Sequence, residues 1–186
     1  MKKNISEEDT PKRRKTTTPC GKCKLCKDIV STDTIVNAKR GIKMKLDDGG
    51  TCQTKNVIYA ALCTRHNAIC VGQTGESLSS RFNRHRYDIK ERPSNSEIAE
   101  HFHQGHTDGD MKVLILQSGL SESIEQREYF EDRWMCRLQS LQAKDSSGIN
   151  KTTKTYGREM YECFNKLNNS QCLTPITIDA PPPSLC

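Results

Sequence analysis

Apolar positions gather between residues 56 and 150, and their spacing changes from segment to segment. Asn56-Val57-Ile58-Tyr59-Ala60-Ala61-Leu62-Cys63 is an apolar run of strand length, and Ile69-Cys70-Val71-Gly72 is a second. The polar Thr64-Arg65-His66-Asn67 joins them, which predicts a β-hairpin. Gly75 closes the strand region, and Ser77 is placed to cap a helix over 78–90 that stops before Pro93. At about 100° per residue, Leu78, Phe82, His85 and Ile89 share one face of that helix, with Arg81 at the rim one turn before His85. A short helix is predicted from Ser96 to His103, running into Gly105, and Met111-Lys112-Val113-Leu114-Ile115-Leu116 reads as a third strand. Ser121 opens a long helix to about Ala143, with Ile124, Phe130, Trp134, Met135, Leu138 and Leu141 on one arc. Glu131 projects from within that arc. A core-facing carboxylate is costly, so a metal, a cation or a cavity should compensate it; the plainer alternative is a rim glutamate paired with Arg127 or Arg84.

The flanks are different. Residues 1–19 and roughly 157–186 show no hydrophobic period, and the second stretch ends in Ala180-Pro181-Pro182-Pro183, so both read as disordered. The chain divides accordingly into a disordered basic arm (1–19), a Cys-rich linker (20–55), a compact domain (56–150) and a mostly disordered tail (151–186). Of 186 residues, 33% are hydrophobic and 28% charged, so the chain is only partly core. The formal charge of +6 is uneven. Residues 1–55 carry fourteen Lys and Arg against seven Asp and Glu, whereas residues 56–150 carry eleven against thirteen. A polyanion would therefore meet the N-terminal part, through Lys12, Arg13, Arg14, Lys15, Lys22 and Lys24. The run 11–15 reads as a nuclear import signal or a nucleic-acid arm, with a solvated tail as the alternative; nuclear placement follows from the first, cytoplasmic otherwise.

Ten cysteines without a signal-peptide-like or membrane-spanning run read as metal ligands or buried thiols, not as secreted crosslinks. Cys20, Cys23, Cys26 and Cys52, in the pattern C-x2-C-x2-C-x25-C, are a candidate four-thiolate zinc site, with Cys20-Gly21-Lys22-Cys23 as its knuckle; the even spacing also allows the third thiol to be a spectator. Cys136, Cys163, Cys172 and Cys186 have no spacing partner and read as ordinary thiols.

Within 56–150 stand a tyrosine on the first strand, an arginine on the first helix, a core-facing glutamate on a later helix and an asparagine in Gly148-Ile149-Asn150. These types suit phosphodiester cleavage, with a base, a phosphate-neutralising arginine and a cation-holding carboxylate. In order, they resemble the GIY-YIG endonuclease superfamily. Val57-Ile58-Tyr59 and Cys70-Val71-Gly72 stand for the two half-motifs, followed by Gln73-Thr74, Ser80-Arg81-Phe82-Asn83-Arg84-His85, Glu131 before Trp134-Met135, and Asn150. The resemblance is closer to the endonuclease domain of Penelope-like retroelements, through Thr51-Cys52-Gln53-Thr54-Lys55, Val71-Gly72-Gln73-Thr74-Gly75, Ile98-Ala99-Glu100-His101-Phe102 and Gly105-His106. It implies an α+β (α/β/α) fold in which a small central three-stranded antiparallel sheet is flanked by helices. It also implies a metal-dependent enzyme that nicks DNA, with a reverse transcriptase domain encoded elsewhere as partner. Tyr59 would be the base, Arg81 would stabilise the phosphate, Glu131 would hold Mg²⁺ or Mn²⁺, and His85 and Asn150 would position groups. Cys70 replaces the tyrosine of the second half-motif. The alternative function is a nucleic-acid-binding zinc module that keeps the fold and lacks cleavage. The same relatives carry a Cys-Cys-His-His set, which falls here on Cys63, His66, His101 and His106 as a structural Zn²⁺ site, with His103 as a competing ligand.

Overall fold

A computed structural model describes residues 15–46, 48–91, 96–103, 105–142 and 148–152. The strands are β1 (Thr17–Thr18), β2 (Thr34–Asn37), β3 (Ile42–Lys45), β4 (Gly50–Thr51), β5 (Val57–Cys63), β6 (Ile69–Thr74) and β7 (Met111–Gln117). The helices are α1 (Leu78–Glu91) and α2 (Glu97–Phe102), between β6 and β7, and the C-terminal α3 (Ile124–Leu138). The protein is mixed α+β, built on an antiparallel three-stranded sheet in the order β6-β5-β7. β5 takes the centre because it is apolar on both faces: six of its seven residues are buried. The predicted hairpin forms, with Tyr59 opposite Gly72 and Ala61 opposite Cys70, and β6 continues through Gln73 and Thr74.

Alternation along β5 divides the core in two. Val57, Tyr59, Ala61 and Cys63 pack with Leu78, Phe82 and Ile89 of α1 and with Ile98, Ala99 and Phe102 of α2. Ile58 and Ala60 turn to the other face, against Trp134, Met135 and Leu138 of α3 and Ile35 of β2. α1 begins where predicted, with Ser80 N donating to Ser77 Oγ at 3.2 Å. Ser96 caps α2 through Ala99 N at 3.2 Å.

α3 is shorter than its periodicity predicts. It starts after Ser123, whose Oγ accepts from Gln126 N, and stops at Gln139, whose left-handed backbone ends the helix before Leu141. Ile124 is 55% exposed despite its place on the apolar arc. The helix reaches the sheet one turn later, where Arg127 bonds Gln73.

The chain before residue 55 packs against this sheet. β7 is an edge strand, and the N-terminal segment covers it. Ile115 N donates to Thr17 Oγ1 at 2.7 Å and Val30 N donates to Val113 O at 2.8 Å. Leu25 and Cys52 belong to one half of the core, Ile35 and Leu46 to the other. Residues 20–55 are therefore structural and no mere linker, and Thr17, buried and paired with Gly50, lies inside the order that was expected to begin at 20. Disorder expected at 1–14 and 153–186 falls outside the described residues.

Candidate functional site

Tyr59 projects from the central strand toward α1, and its phenol lies across Gly72 on the neighbouring strand. A Cβ at position 72 would stand 2.5 Å from Tyr59 Oη and 2.6 Å from its Cζ, so glycine is the residue that leaves the ring its place. α1 presents two polar groups to that hydroxyl from successive turns. Arg81 Nε donates to Tyr59 Oη at 3.0 Å, and His85 Nε2 lies 2.8 Å from the same oxygen. Because Arg81 can only donate, the phenol proton points to His85 Nε2, which accepts it. The proton of the neutral imidazole then sits on Nδ1, a buried atom with no hydrogen-bond partner among the described residues.

Burial sets the electrostatics. Desolvation, and then the Arg81 charge, holds His85 down to about 3, so the ring is neutral across the physiological range. Desolvation pushes the Tyr59 phenol up against the opposing pull of Arg81. Arg81 is held above its ordinary range chiefly by Tyr59. Glu131 on α3 is 6% exposed, so it is buried and not a rim residue, and its charge is felt at Tyr59, at Arg81 and at Cys70. The Arg127 guanidinium donates to Gln73 Oε1, Asn56 Oδ1, Ser121 O and Glu122 O, tying α3 to the ends of β5 and β6. A buried carboxylate whose charge reaches Arg81 is a group that could hold a divalent cation.

Cys70 is buried, and burial followed by the charges of Glu97 and Glu131 keeps its thiol protonated. Asn150 Nδ2 donates toward its sulfur at 3.5 Å. The same amide grips the backbone of the next residue: Val71 N donates to Asn150 Oδ1 and Asn150 Nδ2 donates to Val71 O, both at 2.8 Å. Ser140 Oγ donates to Asn150 Oδ1, also at 2.8 Å. Asn150 thus pairs with the outer edge of β6 as a strand would.

Among the described residues, two groups of metal-ligand type are assembled, each with donor atoms within 4.8 Å of one another. The first is Cys20, Cys23, Cys26 and Cys52. Its sulfurs are 3.5 Å apart for 20–23, 3.6 Å for 20–26, 3.7 Å for 23–26 and 3.8 Å for 26–52. Four thiolates around zinc with bonds of about 2.3 Å stand about 3.8 Å apart, so the set could hold such a metal with all four members as ligands. A backbone hydrogen bond at Cys23 draws the Cys26 thiol down to about 6, while desolvation pushes Cys52 up to about 12.

The second group is Cys63, His66, His101 and His106, where the β5–β6 turn meets the end of α2. His66 Nδ1 and His106 Nε2 are 3.1 Å apart, and His66 N donates to Cys63 Sγ at 3.5 Å. His101 Nε2 is buried with no hydrogen-bond partner among the described residues, and burial holds its ring down to about 4, neutral as a ligand must be. His103 follows α2 and stands outside the group.

Lys15, Lys22 and Lys24 are exposed; Lys12, Arg13 and Arg14 lie outside the described residues. Asp28 gave no signal in the sequence. Its carboxylate is buried between α1 and β7, bonding Arg86 Nη2 at 2.6 Å and Lys112 Nζ at 2.9 Å. No helix among the described residues is long and apolar enough to cross a membrane. No protein-family model, curated protein or solved structure matches the chain.

Proposed function

We propose that the chain is a metal-dependent DNA endonuclease that nicks phosphodiester bonds, of the GIY-YIG type carried by Penelope-like retroelements. The observation behind this reading is the hydrogen-bonded series Arg81–Tyr59–His85 set beside the buried charge of Glu131. Arg81 is the member of the series that reaches solvent. With Nε occupied by Tyr59, its Nη atoms are left to meet a phosphate, where a guanidinium offsets the charge that develops during cleavage. Tyr59 is aligned as the proton-transfer group, its hydroxyl held between Arg81 Nε and the neutral His85 Nε2. Mg²⁺ or Mn²⁺ at Glu131 would supply Lewis acidity and charge neutralisation. The two Cys and His groups fit structural Zn²⁺, and the basic arm fits DNA phosphates.

One observation favours a second reading, a DNA-binding module without cleavage. Tyr59 is 1% exposed and a protonated thiol fills position 70, so little of the polar site other than Arg81 meets solvent. A plasmid assay separates the two. Supercoiled DNA with Mg²⁺ or Mn²⁺ should yield nicked circles, and Glu131→Ala should abolish them. Binding without nicking establishes the module instead.

A further inference from the structure

The two grips on α1 both lead back to the four-thiolate group, and this connection goes beyond the proposed chemistry while resting on it for its catalytic consequence. The first grip is at the N-terminus of α1. A helix leaves its first N–H groups without internal partners. Leu78 N donates to Thr54 O at 3.1 Å and Ser79 N donates to Cys52 O at 2.8 Å. Gln53 Nε2 donates to Ser79 Oγ at 3.3 Å. Cys52 therefore offers its sulfur to the cage and its carbonyl to the helix, and the next two residues complete the cap.

The second grip is two turns along. Cys26 is followed two residues later by Asp28, whose side chain is 4% exposed and holds Arg86 Nη2 at 2.6 Å. Lys24 O accepts from the same Nη2 at 3.5 Å. Arg81 and His85 lie between the two grips. The intervening knuckle is poor in apolar residues: of 20–28, Leu25 is the buried hydrophobic one. The pairing of Thr17 and Thr18 with Gly50 and Thr51 brings the two segments side by side, and the sulfur cluster joins Cys26 to Cys52, 26 positions away in sequence.

We propose that Cys20, Cys23, Cys26 and Cys52 form a metal cage that seats α1, and that metal bound there fixes where Arg81 and His85 stand relative to Tyr59. Cys52, Gln53, Thr54 and Asp28 are then positioning residues. Losing the cage metal loosens both grips, the second staying tethered to β7 through Lys112, while leaving the β5–β6 hairpin and the Cys63, His66, His101, His106 group in place.

The test uses the full chain loaded with Co²⁺, whose thiolate bands report the cage directly. Cys23→Ser removes one ligand and leaves Cys52 and its carbonyl. It should lose one equivalent of cobalt together with the four-thiolate spectrum. Amide exchange at Leu78, Ser79 and Phe82 to Arg86 should then accelerate by about tenfold or more, with β5 and β6 amides unchanged. Unchanged exchange along α1, or equal acceleration in the hairpin, would overturn the proposal. Asp28→Ala keeps the ligands. It should retain the cobalt spectrum and lower the kcat for nicking by about tenfold at unchanged KM; an unaltered kcat argues against the seat. If the parent protein does not nick DNA, the endonuclease reading fails and the exchange experiment still decides whether the cage holds α1.

Discussion

At the scale of single residues, the site depends on what one hydroxyl does. Tyr59 Oη accepts from Arg81 and donates to His85, so removing it leaves a guanidinium nitrogen and a buried imidazole nitrogen facing nothing. Tyr59→Phe should lower nicking by about 10²–10⁴-fold, the usual worth of a positioned proton-transfer group, measured as kcat on supercoiled plasmid. It should cost about 1–3 kcal/mol of stability for the polar atoms left bare, read from denaturant unfolding. His85 adds a pH dependence. Its folded pKa of about 3 lies below the ordinary 6.5, so between these values the unfolded chain binds a proton that the folded chain does not. This contribution is complete above about pH 6.5 and is lost as pH falls toward 3. His85→Gln should flatten the unfolding free energy in that window by about 1.4 kcal/mol per pH unit, the two proteins being titrated in parallel so that the other Cys and His groups behave alike. Tyr59, Arg81 and His85 could each be found from residue type and helical spacing. The direction of the phenol proton could not, because it follows from which neighbour is able only to donate.

At the scale of elements, strand and helix period located β5, β6, β7, α1 and α2 to within about two residues, because each is bounded by a strong stop: Gly75, Pro93, Gly105 or a capping serine. The short pairs β1 and β4, and the ribbon β2–β3, escaped. Two to four residues carry no period, and what orders them is tertiary, the covering of β7's edge and the burial of Ile35. Asn150 belongs to the same class. Its motif position was legible, but its clasp on Val71 needs the segment 148–150 to return beside β6. Asn150→Ala should cost about 1–3 kcal/mol for each Val71 backbone group left unpaired, and should raise amide exchange at Val71 more than at Tyr59. Gly72→Ala tests the strand pair from the other side. With Tyr59 Oη only 2.5 Å from the new Cβ, the ring must leave its place, so stability to thermal unfolding should fall by about 1–3 kcal/mol and nicking should drop as far as in Tyr59→Phe.

At the scale of the whole molecule, the charge asymmetry and the core make opposite demands on the N-terminal third. Counted by charge, residues 1–55 are the part to which a polyanion would be drawn. Packing shows that many of them also hold the sheet: Leu25 and Cys52 fill one half of the core, Ile35 and Leu46 the other, and Thr17 and Val30 bond β7. Composition could not separate these roles, since lysine-rich surface and buried cysteine alternate over the same residues. Deleting 1–55 should therefore yield protein that loses cooperative unfolding, and its weak DNA binding would say nothing about the arm. Deleting 1–14 is the informative cut. It removes Lys12, Arg13 and Arg14 while keeping Thr17 and the cage, so the thermal midpoint and two zinc per chain should persist. DNA affinity should fall, and the slope of log affinity against log salt should shrink by about 0.9 for each phosphate no longer neutralised, up to about 4.5 if Lys2 and Lys3, lost in the same cut, also meet phosphates. A slope that does not move places the phosphate-binding cations on the folded body, with Lys22 and Lys24 as the next residues to neutralise.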